Sequence, residues 1–291
     1  MSNSNSSSNG DSESFDKNWR DRHETNYLHW TREEPVNQIQ LAFRMHWHTF
    51  NNILKQQTGK SLEVGCGRGS LSAYFSDYGW DCTLLDLSSA AINRAEKAFT
   101  ENDLVAKFDV GDCLSLPYED NTFDLTFSIG LLEHFDNYDK VIAEQVRVLS
   151  PGGMFIGYIV PSMPENIQKD FEWINDILKV VSSEEEVKKS EEKTEIYRSD
   201  VLSPPYIESM KNAGLVNCNS DGTYPLPMIS HSTSFPFSLL PDEAEISIVK
   251  HFTDLLNYNS QDGADPWRCK EGYGQAFLVW GVKPKKNKDT I

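Results

Sequence analysis

Paired cysteines are missing from this sequence. Its five, Cys66, Cys82, Cys113, Cys218 and Cys269, are odd in number and widely spaced, and none stands in a C-x-x-C pair. That excludes a disulfide framework and a zinc knuckle, and suits buried thiols in a reducing cytoplasm. Basic charge is also scarce, with 27 Lys and Arg against 44 Asp and Glu and a formal net charge of -17. Phosphate backbones and anionic membrane surfaces repel such a chain, so neither nucleic acid nor membrane is expected as a partner. A run of about 18 apolar residues, the length that spans a bilayer, is absent as well. The N-terminus is a Ser/Asn tract, not a basic stretch leading into an apolar run, so a soluble cytoplasmic protein is expected. His46 and His48 flank Trp47, but helix residues two apart do not face each other, and no metal site is expected there.

What is present is patterning. Residues 2–14 carry no hydrophobic side chain, which predicts a disordered tail over 1–14. A helical extension over 15–58 follows, in which Val36, Ile39, Phe43, Trp47, Phe50 and Leu54 recur at spacings of three and four. From Lys60 short apolar runs alternate with helix-period runs, the signature of a parallel sheet with helices on its faces. Strands are expected near 61–64, 82–85, 105–108, 123–128 and 154–160, and again at 215–224 and 275–282. Helical stripes lie between them, such as Leu71, Tyr74, Phe75 and Tyr78, or Val141, Ile142, Val146 and Leu149. Two insertions, at about 161–200 and 225–274, are long enough to build a lid or substrate wall. The first contains an acidic, lysine-rich run at 184–195 that reads as a solvated helix face, and the second a helix over 242–256. One domain over 59–282, followed by a tail at 283–291, accounts for the rest.

The most informative segment is LEVGCGRGS (62–70), a strand running into three alternating glycines and a helix. Glycines let backbone approach a ligand closely, and the helix start offers free N–H groups to an anionic group. A dinucleotide site is the first rival, but the spacing is G-x-G-x-G and Glu63 stands two residues before the first glycine. Asp86 ends TLLD (83–86), where a strand-end carboxylate can take both hydroxyls of a vicinal diol or simply precede a helix start at Ser88. Asp112 follows Gly111, a common turn pair. His134 is a candidate general base, or a histidine packed at a helix start.

Taken in order, these segments resemble class I S-adenosylmethionine-dependent methyltransferases, the broad group that includes ubiquinone and menaquinone biosynthesis enzymes. The resemblance runs from about Lys60 to Val160. Glu63, Gly65, Gly67 and Gly69, with Cys66 among them, match the first motif, whose loop wraps the methionine part of the cofactor. Asp86, beside Leu87, matches the ribose-binding acid, and Asp112 the residue at the adenine amino group, with Cys113 alongside. FDLTFSIGLLEHF (123–135) is similar to the fourth motif and places Ser128, Ile129 and Gly130 under the reactive sulfonium. LSPGGM (149–154) is similar to the turn before the fifth strand. The resemblance implies an α/β, Rossmann-like fold: a seven-stranded, mostly parallel sheet with helices on both faces and its last strand antiparallel, plus an N-terminal helix and cap insertions.

It also implies S-adenosylmethionine as cofactor and direct methyl transfer to a small molecule. Aromatic faces attract cations, and the extension and insertions are rich in them. Tyr27, Trp30, Trp47, Trp173 and Tyr273, with Glu133, are therefore expected to bind the acceptor, and His134 and Tyr27 to serve catalysis. The expected acceptor is a small amine or thioether, an amino acid such as methionine being one candidate. O-methylation of a phenolic or quinone-type acceptor, a non-catalytic cofactor-binding module and a nicotinamide-dependent oxidoreductase are the alternatives.

Overall fold

A computed structural model describes residues 29–55, 57–163, 165–181, 197–229, 240–260 and 263–285. The tail 1–14, Tyr27 and the charged run at 184–195 lie outside the described residues. Eight strands form one sheet: β1 Lys60–Val64, β2 Asp81–Asp86, β3 Ala106–Val110, β4 Phe123–Ile129, β5 Leu149–Ile159, β6 Val216–Thr223, β7 Arg268–Cys269 and β8 Ala276–Val282. Their spatial order is β3-β2-β1-β4-β5-β8-β6-β7. The first five pair in parallel, and β8 runs antiparallel between β5 and β6. The seventh expected strand is therefore correct in direction, but the count is eight. The extra strand, β7, is two residues that pair with Gly222 and Thr223 at the sheet edge, too short to leave a periodic trace.

Period-two alternation sends successive side chains to opposite faces. Ile156, Tyr158 and Leu278 join one core, together with Leu71 and Phe75 of helix α2 (Ser70–Asp77) and Ala95 and Phe99 of α3 (Ser89–Glu101). Phe155, Ile159, Phe277 and Val279 join the other, against α4 (Asp139–Val148) and α7 (Pro204–Asn212). The Lys283 ammonium ties β8 to the end of α4 by donating to the carbonyls of Val146, Arg147 and Leu149 at 2.8, 3.1 and 2.7 Å.

Helix α1 (Gln38–Leu54) starts where the Asn37 side chain accepts the Gln40 N–H and stops at Lys55, whose φ is 54°. It buries two faces rather than the single stripe read from sequence. Trp47, Phe50 and Leu54 enter the first core. Leu41 and Ala42 pack instead against Val249, Phe252 and Leu256 of α8 (Asp242–Asn259), with Leu226 and Trp267. Val36, counted in the predicted stripe, precedes the helix and is half-exposed. The insertions, which also hold α5 (Ile167–Asp170) and α6 (Glu172–Val181), are stitched together above the C-terminal ends of the parallel strands. The Gln168 amide exchanges two hydrogen bonds with the Met228 backbone, and Ile167 N–H donates to the Tyr273 carbonyl.

Candidate functional site

In an open parallel sheet the loops beyond the strand C-termini meet at the crevice where neighbouring connections diverge. Here that crevice opens between β1 and β4, and the sequence motifs fall along it. The Asp86 carboxylate, at the end of β2, accepts the Gly67 N–H at 2.9 Å with one oxygen and the Ser88 N–H at 2.9 Å with the other. One carboxylate thus holds the glycine loop and the start of α3. Gly69 caps α2 with φ +67°, and a Cβ there would sit 2.3 Å from Leu84 Cδ2, so a larger residue would strain the turn and displace the Leu84 side chain. The Gly65 and Cys66 N–H groups both donate to the Leu85 carbonyl, which closes the loop over β2.

Glu63 does not reach into the crevice. It is buried, and its Oε2 takes the Ser72 hydroxyl at 2.5 Å and the Ser72 N–H at 3.3 Å, fastening α2 from beneath. Burial pushes its carboxyl up to about 8. Desolvation likewise raises the Cys66 thiol and lifts that of Cys113 to about 12, so both are neutral packing groups. Leu87 is exposed beside Asp86. Asp112, exposed at the end of β3, accepts the Leu114 N–H at 2.8 Å and builds its own turn.

The ends of β4 and β5 form the adjoining wall. Ser128 is fully buried, and its hydroxyl has no hydrogen-bond partner among the described residues. Gly130 turns at φ +63° and donates its N–H to the Tyr158 carbonyl. Glu133 is 1% exposed; Oε1 accepts the Val160 N–H at 3.1 Å, while Oε2 has no partner among the described residues. Burial raises its carboxyl to about 7, against the pull of backbone N–H groups and the Arg198 charge. His134 Nδ1 lies 2.6 Å from the Tyr197 carbonyl oxygen. A carbonyl only accepts, so Nδ1 carries a proton.

Among the described residues the predicted aromatic cage is not assembled. Trp47 is 2% exposed and wedged among Tyr74, Phe75 and Tyr78. Trp30 is buried against Tyr74, with the Arg32 guanidinium 5.3 Å over its ring. Trp173 is 61% exposed on α6. Tyr273 lines a separate hollow of about 320 Å³ with Pro225, Leu255 and Asn259, at the β7 end of the sheet. A different set converges over the β5 end: the His46 ring lies 4.5 Å from Tyr158 and 5.6 Å from both Tyr224 and Trp267. His29, missed in the sequence, stacks on Phe43 and places Nδ1 3.0 Å from the Ser70 hydroxyl at the glycine loop. Its only sequence signal was proximity to Trp30. Among the described residues no cluster of His, Cys, Asp or Glu is arranged to hold a metal ion, and no helix is long and apolar enough to cross a membrane.

With this geometry in place, comparison with known proteins decides the family of the core. Residues 62–157 match the model of a methyltransferase domain. This segment is a class I S-adenosylmethionine-dependent methyltransferase domain. Norajmaline N-methyltransferase of Rauvolfia serpentina is 38% identical over 113 residues, 37% of this chain and 39% of that protein. The chloroplastic tocopherol O-methyltransferase of Arabidopsis thaliana is 39% identical over 128 residues, 43% of this chain and 36% of that protein. The chain thus spans about two fifths or less of the length of these two relatives. The solved structure of the [4+2]-cyclase SpnF matches the methyltransferase domain and its cap together, covering 94% of this chain and 92% of that one, with a TM-score of 0.51 at 17% identity. That match shows the fold alone, since one fold hosts many chemistries. The domain's cradle suits its cofactor: the Gly67 loop is locked to Asp86, and the positive φ at Gly69 favours glycine.

Proposed function

We propose that the chain transfers the methyl group of S-adenosylmethionine by in-line displacement to the nitrogen of a small-molecule amine. The observation that carries this reading is the 2.9 Å bond between Gly67 N–H and the Asp86 carboxylate, which joins the glycine loop and the diol-reading acid across 19 residues. In this reading Gly65, Gly67 and Gly69 cradle the methionine part of the cofactor, and Asp86, with Leu87 beside it, faces the ribose. Asp112 and Cys113 border the adenine, and Ser128, Ile129 and Gly130 floor the sulfonium. The cofactor, when bound, supplies the electrophilic methyl. The protein's work is to hold the nucleophile about 3 Å away, in line and out of water.

Nitrogen is favoured because Glu133 sets a buried carboxyl beside the Gly130 turn, and because the similar Rauvolfia enzyme is named for N-methylation. Glu133 holds the acceptor's ammonium and takes one N–H proton, which leaves the nitrogen lone pair to attack. A phenolic acceptor is the second reading, favoured by the place of His134 in the turn after β4, where an imidazole could take a hydroxyl proton.

Labelled methyl transfer to matched amines, thioethers and phenols across pH 6 to 9 tests both. An amine substrate whose rate climbs as Glu133 ionises near pH 7 is the expected result. His134→Gln then changes the rate only slightly, whereas on the phenolic reading it costs about 10²- to 10⁴-fold. Preference for phenols together with that loss overturns N-methylation, and failure to bind S-adenosylhomocysteine overturns the whole reading.

A further inference from the structure

Tyr158 is the penultimate residue of β5, and its side chain shares a face with α1. It is 3% exposed, and its hydroxyl has no hydrogen-bond partner among the described residues. The same holds for Oε2 of Glu133. The two residues are bound to one local frame. Glu133 Oε1 takes the N–H of Val160, two residues beyond Tyr158, while the Tyr158 carbonyl takes the N–H of Gly130. Glu133 and Tyr224 are also among the groups whose charge, with burial, raises the Tyr158 phenol.

The surroundings on the cap side are aromatic. Trp267 Nε1 donates to His46 Nδ1 at 2.9 Å. An indole N–H is only a donor, so Nδ1 must be unprotonated and the neutral ring carries its proton on Nε2. Burial presses the His46 pKa down to about 3 and keeps it neutral. Phenylalanine at position 158 would fill the same volume against His46 without burying an unmet hydroxyl, and glutamine at 133 could hold the Val160 N–H without a buried carboxyl. Two orphaned oxygens, one on Tyr158 beside the His46 ring and one on Glu133 in the turn after β4, call for an external partner that donates several hydrogen bonds and prefers aromatic faces.

We propose that Tyr158 and Glu133 together form the recognition point for the ammonium group of an arylalkylamine, with His46, Tyr224 and Trp267 selecting its flat apolar skeleton. This rests on the N-methylation reading and assigns Tyr158 as the specificity-determining residue within it.

The test is calorimetry on the full chain saturated with S-adenosylhomocysteine, with phenethylamine and its neutral counterpart 2-phenylethanol as probes. Phenethylamine binds about tenfold or more tightly than 2-phenylethanol, and Tyr158→Phe and Glu133→Gln each remove about tenfold or more of that affinity. Affinity for S-adenosylhomocysteine stays the same in Tyr158→Phe, and melting temperatures report that each variant is folded. Equal binding of the two probes, or no binding of phenethylamine at millimolar concentration, overturns the proposal. So does a Tyr158→Phe variant that melts higher yet binds phenethylamine as before, which would show that the hydroxyl serves only an internal water. In all these cases intact S-adenosylhomocysteine binding leaves the methyl-transfer reading standing.

Discussion

The two halves of the molecule that meet at the crevice are held by different means. The cofactor half, β1 to β4 with its loops, is tied by short hydrogen bonds between elements adjacent in sequence and sheet, such as Asp86 to Gly67 and Ser88, or Glu63 to Ser72. The cap half is tied by side chains that meet from far apart. Gln38 donates to Glu245, 207 residues on, and exchanges bonds with the Ile229 backbone, while Trp267 donates to His46 across 221. Damage to the first half should therefore strike the cofactor site directly. Damage to the second should loosen the cover and leave cofactor binding almost alone.

The largest effect is expected from Gly69→Val. Its Cβ falls 2.3 Å from Leu84 Cδ2 at a positive φ, so the turn is strained and the buried Leu84 side chain must shift. The variant should melt well below the parent chain, and an unchanged melting temperature would show that the turn and Leu84 relax without cost. Next comes Asp86→Ala, expected to weaken S-adenosylhomocysteine about tenfold to a hundredfold through lost charge-assisted hydrogen bonds while the chain stays folded. Calorimetry reads it, and unchanged affinity would place the ribose elsewhere.

Glu245→Ala is the matching cut in the cap. It strands the Gln38 N–H, at about 1 to 3 kcal/mol in urea unfolding, with affinity for S-adenosylhomocysteine preserved. A parallel loss of cofactor binding would erase the distinction between the halves.

The smallest effect is on pH dependence, and it separates the halves by sign. Glu63, at about 8 in the folded state against 4.5 for the free group, keeps a proton that the unfolded chain gives up. Its contribution to stability therefore falls as pH rises from near 4.5 through 8. His46, held at about 3 against 6.5, refuses a proton that the unfolded chain takes, so its contribution falls as pH drops below about 6.5. Glu63→Gln should flatten the alkaline limb of melting temperature against pH, and His46→Gln the acid limb. Identical profiles for both variants would contradict the assignment.

The asymmetry also explains what could be read in advance. Strand–helix alternation and the glycine loop are local patterns, and the motif order followed from them, whereas the antiparallel final strand followed only from the family resemblance. LSPGGM, read as a turn before the fifth strand, is instead part of β5, which starts at Leu149 and absorbs the mismatch as a register shift opposite Phe123 and Leu125. Aromatic residues in the covering segments gave no clue to the side they would face. Trp47 went to the core with Phe75, and Tyr158, visible only as a strand residue, met the His46 ring. His46 stood out for its neighbour His48, yet its partner is Trp267, a pairing that no local spacing encodes.

The position of β8 has a consequence for how the chain is made. β6 precedes it in sequence but pairs with β5 only through it, so β6 and β7 cannot join the sheet as they are synthesised. β1 to β5 can assemble early from nearest neighbours, leaving the outer edge of β5, Met154 to Ile159, open until β8 emerges more than a hundred residues later. During that interval Phe155, Ile156 and Tyr158 present a bare apolar edge of the kind that recruits other chains, and the acidity of the whole sequence gives it one means of keeping copies apart.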